Sequence, residues 1–157
     1  MQYRELSASE WPWPLLLEAD PSREQIERYI HDSTVLGMFN EQTVIGVIVL
    51  QAQSPQVFEV MNLAVEPDYR GQGIGKALMV AAIARAQAEG GRRLIVATGN
   101  SSLDPLAFYQ KLGFSLEACE PDYFVRTYPT PIFENGLQCR DRLWLGLSLE
   151  SDGKRPL

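Results

Sequence analysis

The chain has 157 residues, 45% hydrophobic and 22% charged, with a formal net charge of −6, a length that suits one compact domain whose core needs no disulfide or metal staple. The acidic balance argues against a nucleic-acid partner, which asks for a basic face. Two cysteines, Cys119 and Cys139, stand in no metal-ligand spacing beside a single histidine, His31, so a zinc site and a serine–histidine mechanism both lack their residues.

Residues 2–6 read as a short strand. Residues 8–18 and 22–31 read as helices, with Pro21-Ser22 breaking between them and Ile26, Tyr29 and Ile30 forming one apolar stripe. Strand-like runs follow at 34–39, 43–52 and 56–65, joined by turns short enough for an antiparallel meander. Residues 75–89 form a helix rich in alanine, stopped by Gly90-Gly91. Residues 92–98 read as a buried strand. Residues 104–113 read as a short helix, with Asp104 as cap, Pro105 in the first turn and Gly113 at the exit. A strand at 114–120 and an alternating strand at 143–149 flank residues 121–136, a long loop rich in aromatics and prolines. Residues 151–157 are expected to fray.

That order is mixed α/β around a central sheet. The helix at 75–89 links two strands by a crossover, which implies a parallel pair in a mostly antiparallel sheet. Residues 1–150 are read as a single domain. No apolar run approaches the roughly 18 residues of a membrane span, and the first residues hold no apolar signal core, so the expected setting is the cytoplasm, without a membrane partner.

The joint between the strand at 56–65 and the helix at 75–89 reads Arg70-Gly71-Gln72-Gly73-Ile74-Gly75-Lys76. It is not a Walker A loop: Arg70 stands where the first glycine should, and Ala77 replaces the hydroxyl residue. It is not a dinucleotide fingerprint, because Lys76 holds the third glycine position. What remains is a strand, a bare turn and a helix start. The first turn of a helix has unpaired N–H groups and a partial positive charge. No carboxylate lies between Arg70 and Lys76 to meet them, so the pattern suits a phosphate or pyrophosphate.

The stretch "LAVEPDYRGQGIGKAL" resembles the acetyl-CoA signature of the GNAT superfamily of N-acetyltransferases, and "AFYQKLGF" at 107–114 resembles its second signature, a tyrosine on a short helix closed by Gly-Phe. The two stand in the family's order with one strand between them. The C-terminal "PIFENGLQCRDRLWL" is similar to bacterial members whose substrates are generally unassigned. The resemblance implies the GNAT fold, with a parallel, splayed strand pair, and acetyl-CoA as donor. It implies that the backbone of Gly71, Gln72, Gly73, Ile74, Gly75 and Lys76, beside Arg70, binds the pyrophosphate. It further implies that Leu63, Ala64 and Val65 pair with the pantetheine arm, and that Tyr109 protonates or hydrogen-bonds the departing thiolate. The family often has an asparagine seven residues before the tyrosine; here Ser102 holds that position and Asn100 lies nine before, so either is a candidate pantetheine contact.

Acetyl transfer to an amine needs a neutral amine, a donor for the developing oxyanion and help for the leaving thiolate; it needs neither a metal nor a covalent enzyme intermediate. A backbone N–H near Ala64 or Val65 is the natural oxyanion donor. Glu59, in an apolar run five residues before Ala64, is the first candidate for the base, with Asp104, Asp122 and Glu134 behind it. Tyr123, Phe124, Tyr128 and Phe133 are candidates for the wall of an acceptor pocket, together with Trp11 and Trp13 by analogy with the fold. The expected acceptor is a primary amine of a small molecule or peptide, and a homodimer is left open. The alternative is an acyl-CoA-sensing module of the same fold without turnover.

Overall fold

A computed structural model describes residues 1–150; the expected frayed tail, 151–157, lies outside the described residues. The chain divides into two compact units, Met1–Arg92 and one that starts at Arg93.

In the first unit, β1 (Gln2–Glu5), β2 (Thr34–Asn40), β3 (Thr43–Ala52) and β4 (Val57–Val65) form a sheet in that order, every pair antiparallel. The helix expected over 8–18 is broken. A single 3-10 turn, Ala8–Glu10, precedes α1 (Trp13–Ala19). The cause is Pro12: a residue before proline is driven out of the helical region, and Trp11 adopts φ −59°, ψ 125°. Helix α2 (Arg23–Ile30) starts at Ser22, whose hydroxyl accepts from the Gln25 N–H at 3.2 Å. Leu15 and Leu16 of α1 and Ile26 and Ile30 of α2 bury against Val47, Val49 and Ala64 on one face of the sheet. Helix α3 (Ile74–Ala88) packs on the other face, where a side chain on Gly46 of β3 would meet Ile74 and Leu78 at 3.0 Å.

In the second unit, β5 (Arg93–Gly99) leads into α4 (Leu103–Lys111) and then β6 (Ser115–Glu120). Helix α4 starts earlier than expected: Ser102, not Asp104, is the cap residue, and Asp104 lies in the first turn. The stretch expected as a loop carries α5 (Tyr123–Thr127) and a small hairpin, β7 (Phe133–Glu134) with β8 (Leu137–Gln138). The hairpin turn is Asn135-Gly136, both at positive φ (55° and 75°), which is the turn that matches strand twist. Strand β9 (Arg142–Ser148) pairs antiparallel with β5 and β6.

Candidate functional site

Strand β4 ends at Val65, and a 3-10 turn, Pro67–Tyr69, carries the chain to the glycine joint. The Arg70 guanidinium turns back: its Nε donates to the Val65 carbonyl at 3.2 Å and its Nη2 pairs with Glu18 of α1 at 3.4 Å. Gly71 and Gly73 both sit in the left-handed region, at φ 78° and 80°, and a Cβ at either would meet nothing within 4 Å. These glycines are needed for backbone shape and for access, not for packing.

Gly73 caps α3 without a side chain, and no acidic residue stands in the first turn. The first intrahelical bond there is Ala77 N–H to the Gly73 carbonyl, at 3.0 Å. The N–H groups of Ile74, Gly75 and Lys76 precede it and have no acceptor within the helix. Residues 71–73 and Lys76 are exposed. A 15-residue helix thus presents its positive end to solvent beside an exposed lysine. The donor set fits a pyrophosphate.

Glu59 lies on β4 half-buried. Strict alternation would place it opposite to Ala64, since the two are an odd number of residues apart. The pairing with β3 decides otherwise: Val49 faces Asn62 but Leu50 faces Val60, so Met61 is an extra residue. Glu59 is opposite Gln51, Asn62 opposite Val49 and Ala64 opposite Val47, which puts all three on the α1–α2 face. The Gln51 amide donates to the Tyr29 carbonyl at 3.2 Å. Burial pushes the Tyr29 phenol up to about 12; a hydrogen bond from Asn62 opposes that rise, and the charges of Asp20 and Glu59 add to it. The sequence singled out neither Asn62 nor the bulge; an asparagine inside an apolar strand was the available signal.

In the second unit, Tyr109 on α4 is 8% exposed and packs against Phe108 and Phe114, with ring centroids 5.5 and 5.8 Å away. Burial pushes its phenol up to about 12. Asn100 and Ser102 are committed elsewhere. The Asn100 side chain donates to the Gln138 carbonyl at 3.1 Å and accepts from the N–H groups of Arg140 and Asp141 at 2.8 and 2.9 Å. The Ser102 hydroxyl donates to Glu134 at 3.0 Å.

Two of the three weaker base candidates have structural tasks. Glu134 holds Ser101 and Ser102, and Asp122 pairs with Arg140 at 2.6 Å. Three of the four candidate aromatics of 121–136 pack together, with Tyr123 edge-on to Phe124 at 5.1 Å. Tyr123 lies under the Arg142 guanidinium at 3.6 Å, Phe124 stacks on Tyr128 at 5.8 Å, and Phe133 is 68% exposed. In the first unit, Trp11 meets His31 edge-on at 5.2 Å, and Arg23 covers Trp13 at 3.8 Å. Among the described residues no cluster of His, Cys, Asp and Glu could hold a metal ion, and no helix is long and apolar enough to cross a membrane.

The sequence model of the acetyltransferase (GNAT) family matches residues 1–114. The chain belongs to that family. It is 39% identical over 137 residues to a Bacillus subtilis protein named as an N-acetyltransferase, YvbK, covering 87% of this chain and 88% of that one. A GNAT family acetyltransferase from Elizabethkingia anophelis, solved with acetyl-CoA bound, matches with a TM-score of 0.90 at 34% identity, over 94% of this chain and 97% of that one. The IAA acetyltransferase from Bacillus cereus matches with a TM-score of 0.90 at 39% identity, over 94% and 98%. The fold is the GNAT fold that the motifs implied, and the protein is an acyltransferase.

Proposed function

We propose that this GNAT acetyltransferase is an acetyl-CoA-dependent N-acetyltransferase. It moves the acetyl group directly to a primary amine of a small molecule or peptide, with residues 1–150 acting as one domain. The observation that carries the reading is the N-terminus of α3, which has two left-handed glycines, no capping side chain and no carboxylate in its first turn. The acetyl-CoA held by the Elizabethkingia anophelis relative supports the choice of donor.

Acetyl-CoA, when bound, supplies an activated acetyl group. The backbone of Gly71, Gln72, Gly73, Ile74, Gly75 and Lys76 holds its pyrophosphate, with the Lys76 ammonium adding charge. Arg70, beside this backbone, also pins the turn to Val65 and Glu18. The backbone of Leu63, Ala64 and Val65 aligns the pantetheine arm, and an N–H at Ala64 or Val65 donates to the developing oxyanion. Glu59, brought onto the α1–α2 face by the bulge, takes the amine's proton through a water. With their side chains engaged, Asn100 and Ser102 are not retained as pantetheine contacts.

Tyr109 serves the leaving group as a hydrogen-bond donor. Burial pushes its phenol up to about 12, whereas a free alkyl thiol of the cysteine kind titrates at about 8.5. Full transfer to the thiolate would run uphill by about 5 kcal/mol. The proton stays on Tyr109, and the hydrogen bond stabilises the thiolate.

Calorimetric titration with acetyl-CoA, coenzyme A and ATP tests the donor assignment. Micromolar binding of both coenzyme A species and none of ATP is expected; no coenzyme A binding would overturn it. Thiol release in the presence of a panel of primary amines then tests turnover, and its absence with every amine would favour a sensing role.

A further inference from the structure

We propose that the β7–β8 hairpin is a strap that positions α4, and through it Tyr109, with Glu134 as its fastening residue. The proposal rests on the reading of Tyr109 as the partner of the departing thiolate.

The turn between β5 and α4 is gripped by residues 134–141. Ser101 is fully buried and donates to Glu134 Oε1 at 3.1 Å; Ser102 donates to the same oxygen at 3.0 Å. Next to them the Asn135 amide donates to the Ser101 carbonyl at 2.8 Å. Asn100 adds three side-chain bonds, one to Gln138 at the end of β8 and two to Arg140 and Asp141 just after it, and its N–H donates to the Asp141 carbonyl at 3.0 Å. Three consecutive residues, Asn100, Ser101 and Ser102, thus commit their side chains to residues 134–141. The hairpin is itself stiff. Its Asn135-Gly136 turn is left-handed at both positions, and the Cys139 N–H closes its base on the Ile132 carbonyl at 2.7 Å.

Helix α4 needs such a hold. It has nine residues, too few to be stable alone, and its cap residue makes no side-chain capping bond because the Ser102 hydroxyl is turned to Glu134. Glu134, about thirty residues away in the chain, thus adds a carboxylate at the end where Asp104 stands in the first turn. At the other end Tyr109 packs on Phe114, and Gly113 closes the helix at φ 101°. A short helix fixed at one end pivots about it; fixed at both, it holds its tyrosine in place. An error of about 1 Å in a positioned group costs on the order of a hundredfold in rate. Glu134 does not touch the reacting atoms in this account: it is a positioning residue.

The test uses the full chain with coenzyme A as probe and reads the pKa of the bound thiol from its ultraviolet thiolate absorbance. Tyr109→Phe should raise that pKa by about one unit or more, because a donor to the thiolate is lost. Glu134→Ala should raise it in the same direction and add nothing in the Tyr109→Phe background. Glu134→Gln, which still accepts from both hydroxyls, should keep the wild-type value. A wild-type value in Glu134→Ala, or a shift that adds in full to that of Tyr109→Phe, overturns the strap while leaving Tyr109 its role. No shift in Tyr109→Phe, or no coenzyme A binding by the wild type, overturns the reading of the site and the strap with it. If Glu134→Ala does not fold, Ser102→Ala takes its place in the same cycle, since it removes one of the two hydroxyl bonds and leaves the carboxylate.

Discussion

The Asn62 amide donates to the Tyr29 hydroxyl at 3.2 Å and to the Leu16 carbonyl at 3.1 Å, so one strand side chain ties both α1 and α2 to the sheet. It is 5% exposed, and its own oxygen has no hydrogen-bond partner among the described residues. Tyr29→Phe should cost about 1 kcal/mol and Asn62→Ala about 2–4 kcal/mol, measured by urea unfolding. The double variant should cost less than the sum, because both remove the same bond. Strict additivity would show that the contact contributes nothing.

Tyr109 links burial to alkaline stability. Burial in the folded state pushes its phenol from about 10 up to about 12. The folded state therefore holds the proton more tightly, and the contribution is complete below pH 10 and is lost as pH rises from about 10 to 12. Tyr109→Phe should flatten the fall in stability across that window by about 2–3 kcal/mol relative to wild type. Parallel curves would contradict it. The same variant should lower turnover by roughly 10- to 100-fold, with acetyl-CoA affinity nearly intact.

Gly73 is held at φ 80° with open space beside it. Gly73→Ala should cost about 1–2 kcal/mol from backbone strain alone. Gly73→Glu adds a carboxylate at the end of α3 and should abolish acetyl-CoA binding in calorimetry. Unchanged affinity would remove the pyrophosphate assignment.

Gly99, the last residue of β5, has no room for a side chain: a Cβ would lie 2.5 Å from the Cys139 sulfur. Gly99→Ala should lose about 1–3 kcal/mol in thermal or urea unfolding. In a Cys139→Ala background the loss should shrink, since the obstructing atom is gone. An equal loss in both backgrounds would place the strain elsewhere.

Glu59→Gln should lower turnover by about a hundredfold or more and leave acetyl-CoA affinity unchanged. A variant that keeps full activity would pass the role of base to solvent.

What the sequence made legible was whatever rests on local chemistry. The glycine joint and the end of α4 were readable because positive φ demands glycine, and the meander because its turns are short. The misplaced elements have equally local causes. Pro12 breaks the first helix through the residue before it. Asn135-Gly136 signalled a hairpin inside a stretch whose prolines suggested irregular chain. The roles of Ser102, Asn100 and Glu134 were not readable at all. Each depends on a partner more than thirty residues distant, and no periodicity reports such a partner. The side of the sheet that Glu59 occupies was hidden for a related reason: alternation counts residues, and it cannot see that Met61 is not counted by the neighbouring strand.

That uncounted residue makes β4 sensitive to length in a way that composition would not reveal. Deleting Met61 would close the bulge and bring the strand back into regular step with β3, with Glu59 four residues from Ala64 and still opposite Gln51 on the α1–α2 face. A one-residue change between Glu59 and Ala64 that keeps the bulge would instead turn Glu59 to the side that packs against α3, a misplaced charge in an apolar layer. Relatives of this enzyme are therefore best compared along this strand by spacing and bulge together, since a glutamate five residues before the alanine with the bulge and one four residues before it without the bulge lie on the same side of the sheet.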